Sequence, residues 1–234
     1  MSAHWLTEDR PERTLPVAAL LITAAGMLDA FTYVGYGGVF ANAMTGNIVI
    51  LTVHLAKGEL GEVLPFFAPV IAYVLGVGVA HLLKRNESGW FKATARAALS
   101  AEIAFLVVVA FLPRSVPDML VVAGIAFVAA LQATAFTRIA EFAYTSVTTS
   151  SNLRRFAESA ISALVFKEGR RAAREAMFFA ILVVCFIGGA LIGAAATEKW
   201  GHGAVWLPIG CLTLALALCL PWNLSLRGIF GRDE

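Results

Sequence analysis

The sequence predicts an all-α polytopic membrane protein with six transmembrane helices and two short partial helices. Hydrophobic residues make up 59% of the 234 residues and charged residues only 15%, against roughly 25% charged residues in ordinary soluble domains. Apolar runs of about 20 residues, the length that crosses a bilayer, follow one another with short loops. We therefore expect one membrane domain over residues 1–234, with no separate soluble module.

Six apolar runs are long enough to span a bilayer, and each is bounded by charge, proline or glycine. Pro16, Pro65 and Pro117 stand at the start of runs, where a missing backbone N–H costs little. The segment before Pro16 is polar and has no small-residue cleavage site, so we expect the first run to remain as a helix. The predicted spans are residues 16–36, 64–83, 93–112, 118–138, 175–197 and 204–222.

Two further segments, residues 41–56 and 145–166, are predicted to be partial helices, either re-entrant or interfacial. The first is apolar but short. The second carries Arg154, Arg155 and Glu158 near its middle. Since one charge at the centre of a spanning helix costs about 3 kcal/mol, three charges argue against a crossing.

The order of the segments predicts an internal repeat. The run from Asn42 to Asn47 corresponds to the run from Val147 to Asn152, 105 positions later. Each run follows a full span and opens a short helix that precedes another full span. The predicted halves are about 16–112 and 118–222, and two non-crossing partial helices would give these halves opposite orientations, as in many transporters.

Loop charges set the predicted orientation. The loops at 84–96 and 167–175 are rich in Lys and Arg, so they should be cytoplasmic, whereas the loops at 57–63, 113–118 and 198–203 should lie outside. Both termini are then cytoplasmic. The alternative of eight full spans would place the basic 84–96 loop outside and would bury Arg154 and Arg155 in lipid.

Two motifs carry a resemblance to a known family. The stretch from Gly26 to Tyr33, followed by that from Val39 to Asn47, resembles the signature of the YoaK family. In the second half only Leu131-Gln132 and Asn152-Leu153 match, and Ser150-Ser151 replaces Thr-Gly. The resemblance covers nearly the whole chain. It implies a bacterial inner-membrane protein with six spans, and it supplies no reaction.

Two acidic residues lie inside predicted spans, Asp29 in the first and Glu102 in the third. Intramembrane carboxylates commonly mark an ion pathway, a proton relay or a buried pair. The alternative for Asp29 is a structural carboxylate that is bonded to Thr and Asn neighbours. Glu102 has no charged neighbour on its helix except Arg96, and a dry environment disfavours its charged form, which suits proton coupling.

The two partial helices open with polar residues that suit a solute or an ion. Thr45 and Asn47 can accept bonds from free N–H groups at a helix start, and Gly46 permits close backbone approach. Arg154 and Arg155 would either pair with Asp29 or Glu102 or extend to the inner headgroups. The candidates for binding a substrate or ion are Asp29, Asn42, Thr45, Gly46, Asn47, Glu102, Gln132 and Asn152.

We therefore expect a small-solute or ion transporter or channel of the bacterial inner membrane, with proton coupling as one mode. The alternative is a non-transporting scaffold, sensor or assembly protein. No catalytic constellation, metal-ligand spacing or cofactor motif is evident, so an enzyme is not expected. The expected partners are the lipid bilayer and an unknown small solute or ion, with no nucleic acid, and a homo-oligomer is compatible with the sequence.

Overall fold

The computed structural model describes residues 11–85, 94–113, 115–166 and 169–220, and these ranges are almost entirely helical. The helices are α1 (Leu15–Gly35), α2 (Met44–Lys57), α3 (Val63–Arg85), α4 (Thr94–Phe111), α5 (Asp118–Ala135), α6 (Ser150–Leu164), α7 (Arg170–Trp200) and α8 (Trp206–Leu218). A hairpin of two antiparallel strands, β1 (Arg138–Ile139) and β2 (Phe142–Ala143), lies between α5 and α6. Short 3₁₀ helices cover Pro11–Arg13, Leu60–Glu62 and Gly201–Val205.

Within the described residues, most of each predicted span is helical, in α1, α3, α4, α5, α7 and α8. Four stretches of the described residues are long and apolar enough to cross a membrane. They are Leu15–Gly35, Leu60–Leu83, Asp118–Ala135 and Arg170–Leu218, the last of which contains both α7 and α8. The chain is therefore a helical membrane protein with several apolar helices, as its composition predicts.

Helix α1 lies in the interior of the bundle, whereas α3 and α7 present apolar side chains outward. Leu21 and Ile22 of α1 are fully buried, while Leu75 of α3 is 59% exposed and Leu191 of α7 is 67% exposed. Large apolar side chains in this number would be costly against water but are compatible with lipid. We assign the outer faces of α3 and α7 to contact with the bilayer.

Small residues bring α1 and α7 into close contact. A Cβ at Gly189 would overlap the carbonyl oxygen of Thr23, and a Cβ at Gly193 would lie 2.7 Å from Cα of Met27. The second contact lies four residues after the first on α7 and four residues after it on α1, so the two helices run in the same direction. Backbones approach this closely only where side chains are absent, which is how small residues support helix packing in lipid.

A similar close contact joins α3 and α5. A Cβ at Gly76 would lie 2.5 Å from the carbonyl oxygen of Phe127 and 2.8 Å from Cβ of Ala130. Phe127 follows Thr23 by 104 positions, so it occupies nearly the equivalent position of the second half. Thr23 of α1 meets a glycine of α7, and Phe127 of α5 meets a glycine of α3. The α1–α7 contact is thus repeated by α5 and α3, and the α1–α8 contact by α5 and α4.

Contacts at the two ends of the bundle fix the direction of α5 relative to α1. At the start of α1, the N–H of Ala140 donates to the carbonyl of Arg13 over 2.9 Å, which places the hairpin after α5 beside that end. At the opposite end, Tyr36 and Asp118 line the same cavity. Helix α5 therefore begins where α1 ends and runs antiparallel to it.

The structure differs from the sequence-based boundaries in three places. Helix α7 is 31 residues long, because it begins at Arg170 with a polar first turn ahead of the predicted span. The hairpin at 138–143 was not predicted, and α8 has only 13 residues, about 20 Å of helix. The basic loop at 84–96 lies mostly outside the described residues, as do residues 1–10 and 221–234.

Candidate functional site

The chain turns back into the bundle after α1. Beyond Gly35 it forms a loop whose Asn42 lies beside the middle of α1 rather than at its end. The N–H of Asn42 donates to Oδ1 of Asp29 over 2.7 Å, and its side-chain Nδ2 donates to the carbonyl of Ala25 over 3.2 Å. Helix α2 therefore starts at the depth of Asp29, inside the bundle.

Asp29 serves as the acceptor for the start of α2. The residue before the helix, Ala43, offers no side-chain cap, and the Asp29 carboxylate instead accepts from the backbone N–H of Asn42, which directly precedes Ala43. A carboxylate at this position also interacts favourably with the positive end of the helix dipole. The structural alternative for Asp29, a carboxylate that holds neighbouring elements, is thus supported by its contacts.

Asn47 closes the loop that precedes α2. Its Oδ1 accepts from the N–H of Phe40 over 2.9 Å, and its Nδ2 donates to the carbonyl of Phe40 over 2.8 Å. One side chain thereby satisfies both backbone groups of a residue seven positions earlier. We call this paired contact the asparagine clasp.

Asn152 forms a second asparagine clasp before the body of α6. Its Oδ1 accepts from the N–H of Thr145 over 3.2 Å, and its Nδ2 donates to the carbonyl of Thr145 over 2.8 Å. The spacing is again seven residues, and Asn152 and Thr145 each lie 105 positions after Asn47 and Phe40. Two distant segments with little sequence identity therefore build the same local structure.

Both clasped loops contact α1 at Ala25. Val147, which precedes α6, packs in one cluster with Ala25 of α1 and Ala129 of α5. Ala25 is also the residue whose carbonyl accepts from Asn42. The loop before α6 is thus packed against the long helix of the other half, at the residue that also bonds to the loop before α2.

Three buried polar atoms around this cluster have no hydrogen-bond partner among the described residues. They are Oδ1 of Asn42, Nε2 of Gln132 and Oγ of Ser146, and these side chains are at most 2% exposed. A buried polar group without a partner costs about 1–3 kcal/mol. A polar ligand that hydrogen-bonded to these atoms would remove that cost, and this would favour its binding. We call these three residues the central polar cluster.

Glu102 lies on α4, which packs against α5 and α8. It is 1% exposed, and its Oε2 has no hydrogen-bond partner in the described ranges. Its neighbours one turn away, Leu99 and Leu106, are fully buried. A lone carboxyl in such surroundings is costly as an anion and stable when protonated.

Three sequence-based expectations change with the structure. Thr45 is exposed and forms no cap, because the Asp29 carboxylate takes that role. Gly46 is needed for space, since a Cβ there would lie 3.0 Å from the ring of Phe40. Arg155 pairs with Glu175 over 2.6 Å, which removes one of its two alternatives, the pairing with Asp29 or Glu102.

One cluster at the end of α1 has no counterpart in the sequence-based candidates. The hydroxyl of Tyr36 lies 2.6 Å from Nδ1 of His202, whose Nε2 bonds to the carbonyl of Val109. These contacts tie the ends of α1, α4 and α7 beside a cavity of about 440 Å³. A single histidine after a long apolar run gives little sequence signal for such a contact.

Comparisons with known proteins agree with the resemblance read from the motifs. The family described as "Protein of unknown function (DUF1275)" matches residues 17–218. The UPF0700 transmembrane protein YoaK of Bacillus subtilis (strain 168) is 27% identical over 215 residues, which cover 90% of this chain and 94% of that protein. No solved structure shows significant similarity. The predicted membership of the YoaK family is confirmed.

Proposed function

Since this chain belongs to the DUF1275 family, whose description names no activity, we propose a function from the arrangement of its helices and polar groups. It is a small-solute or ion transporter or channel of the bacterial inner membrane. It has six membrane-spanning helices, two re-entrant helices, α2 and α6, and two halves of opposite orientation. The observation that carries this function is that both clasped loops contact α1 at Ala25 and leave buried polar atoms without hydrogen-bond partners among the described residues.

Several contacts support the inverted arrangement. Helix α5 is antiparallel to α1, and the ring of Phe111 at the end of α4 lies 5.9 Å from that of Trp206 at the start of α8. The two asparagine clasps recur at an offset of 105 positions. Thr23 and Phe127, whose backbones meet the glycines Gly189 and Gly76, are 104 positions apart. Inverted halves with interrupted helices that meet near mid-membrane are a common plan for secondary transporters.

The central polar cluster is the proposed binding position. Asn42 and Ser146 precede the two partial helices, and Gln132 lies on α5. Their unpartnered atoms include an amide oxygen, an amide N–H and a hydroxyl, so together they can accept from and donate to a small polar solute. Asp29 stabilises this position by holding the α2 start, and Asn47 and Asn152 hold the two loops.

Glu102 is the proposed proton-carrying group. It is buried without an ion-pair partner in the described part of the chain, which favours its neutral form. A change in water access during transport would shift it between protonated and charged forms. Proton movement would then depend on Glu102, whereas Asp29 would contribute to folding and site geometry.

The test is transport by the purified protein in liposomes that contain a trapped pH-sensitive dye. Gradients of inorganic cations, inorganic anions and amino acid mixtures are imposed in turn. We expect a dye response for one class in the wild type, none for Glu102→Gln, and full response for Glu141→Gln, an exposed control. Equal responses of Glu102→Gln and the wild type would contradict proton coupling.

A non-transporting scaffold, sensor or assembly protein is the second candidate, favoured by the contacts of Asp29. Its carboxylate accepts from the N–H of Asn42 and so holds the start of α2. A Gln132→Ala and Ser146→Ala double variant separates the two functions, because it removes polar groups that hold no other residue. Normal folding with loss of a dye response supports transport, whereas no response to any gradient in the wild type favours the scaffold.

A further inference from the structure

The junction between α6 and α7 carries an excess of positive charge. Residues 150–177 contain six Lys or Arg residues and three Glu residues, a net charge of +3. Two of the glutamates are already paired: Glu175 with Arg155 over 2.6 Å, and Glu158 with Arg154 over 3.7 Å. The excess charge therefore belongs to the first turns of α7.

Three arginines of α7 have no carboxylate partner among the residues that the structure describes. Arg170, Arg171 and Arg174 are exposed and form no ion pair within the described ranges. The guanidinium of Arg171 lies 6.0 Å from the ring centre of Phe142 in the hairpin. That contact holds its position while its N–H groups remain free to donate to an anion.

A polar cavity of about 360 Å³ lies between α6 and α7 beside these arginines. Arg155 and Arg171 line it together with the hydroxyl-bearing Ser159 and Ser162, and both glutamates also border it. The Ser159 hydroxyl donates to the carbonyl of Arg155 over 2.6 Å. Guanidinium and hydroxyl groups around a small cavity are suited to the oxygens of a phosphate group.

The end of α6 presents apolar side chains next to this basic surface. Leu164 is 79% exposed, and Val165 and Phe166 are each 66% exposed. The charges of α6, Arg154, Arg155 and Glu158, precede these apolar residues along the chain. The C-terminal end of a re-entrant helix returns to the membrane surface, where exposed apolar side chains lie at the level of the acyl chains.

We propose that the α6–α7 junction binds an anionic phospholipid. The phosphate lies in the cavity at Arg171, Arg155 and Ser162, and the acyl chains lie against Leu164 and Phe166. The cavity lining itself contains two arginines and two glutamates. Charge complementarity selects an anionic headgroup over a neutral one because residues 150–177 as a whole have a net charge of +3, and Arg170, Arg171 and Arg174 form no ion pair within the described ranges. This binding is independent of transport and requires only that the junction lie at a membrane surface.

The test is lipid retention by the purified full chain after exchange into nanodiscs of equal parts phosphatidylglycerol and phosphatidylcholine. Native mass spectrometry of the released protein counts each bound lipid. We expect phosphatidylglycerol to be enriched over phosphatidylcholine in the wild type. In Arg171→Gln the enrichment should fall about fivefold, the effect of one basic residue at an anionic surface.

Two further variants keep the test informative. Arg138→Gln removes an exposed arginine from the hairpin at the same end of the molecule but outside the cavity, and it should retain the enrichment. Leu164→Ser removes an exposed apolar contact without affecting internal packing, and it should reduce retention of phosphatidylglycerol. Equal loss in Arg171→Gln and Arg138→Gln would show a general charge effect and overturn the site.

Three other outcomes would also overturn the proposal. Equal retention of the two lipids in the wild type would mean that no anionic selection exists. Preferential retention of phosphatidylethanolamine, in nanodiscs of equal parts phosphatidylglycerol and phosphatidylethanolamine, would show a zwitterionic site instead. Displacement of phosphatidylglycerol by inorganic phosphate alone, with no effect of Leu164→Ser, would show a site for a small free anion.

Discussion

Asn47 and Asn152 are each fully buried, and each bonds to both the N–H and the C=O of one residue in a loop that enters the bundle. Inside a membrane protein water is scarce, so a loop at depth needs such partners from the chain itself. An asparagine is suited to this role because its side chain carries one acceptor and two donor hydrogens in a single plane. The two asparagines are therefore structural supports of the binding position.

Replacing either asparagine with alanine should destabilise the protein. Asn47→Ala leaves the N–H and C=O of Phe40 without their partner, at a cost of about 1–3 kcal/mol, and Asn152→Ala does the same for Thr145. The measurement is thermal unfolding in detergent. Thr45→Ala is the matched control, because Thr45 is exposed, and its midpoint should not change. Midpoints equal to the wild type in both asparagine variants would contradict the clasps.

At the scale of the element, glycines determine which helices pack most closely. Gly189 faces the backbone of Thr23, and Gly76 faces the backbone of Phe127. In each case the adjacent glycine in the sequence pattern, Gly188 or Gly78, meets nothing within 4 Å. Each of the two helices, α7 and α3, thus carries one glycine that has no room for a Cβ and another within two positions that has room for one.

Alanine substitutions at these glycines should give opposite results. Gly189→Ala and Gly76→Ala force a methyl group against a carbonyl oxygen, and overpacking of this kind costs about 1–3 kcal/mol. Gly188→Ala and Gly78→Ala are open to the extra methyl, so they should be neutral or slightly stabilising. Unfolding in detergent, followed by circular dichroism, compares each pair. Equal stability within a pair would disprove the close helix contacts.

At the scale of the whole molecule, the proposed topology depends on α2 and α6 not crossing the membrane. Asn42 bonds to the middle of α1, and the ring of His54 near the end of α2 stacks at 5.6 Å on Phe66 at the start of α3. Helix α2 thus starts inside the bundle and ends where α3 begins. In six spans, the loops after α2 and after α7 share one side of the membrane.

Sidedness can be measured with single cysteines after Cys185, Cys211 and Cys219 are replaced by alanine. Lys57→Cys and Gly203→Cys should react with an impermeant thiol reagent on intact cells, whereas Asn86→Cys and Arg170→Cys should react only after lysis. Lysed cells also provide the control for reactivity at every position. Reaction of Asn86→Cys on intact cells without reaction of Lys57→Cys would mean that α2 crosses, and the inverted arrangement would be wrong.

The sequence by itself determined the class of protein, the positions of the long helices and the family. These properties depend on composition and on local apolar runs, which a bilayer selects through length and hydropathy alone. The repeated polar starts at Asn42 and Val147 were also visible as a pattern. Their shared geometry was not, because a hydrogen bond between Asn47 and Phe40 leaves no compositional trace.

Only the tertiary structure decided the partners of the buried polar groups. It assigned Asp29 to the start of α2, left Glu102 without an ion pair in the described residues, and paired Arg155 with Glu175. It also showed the hairpin at 138–143 and the contact between Tyr36 and His202. These outcomes depend on which helices meet, and in lipid that choice rests on close packing and satisfied polar groups rather than on hydrophobicity, which all the helices share.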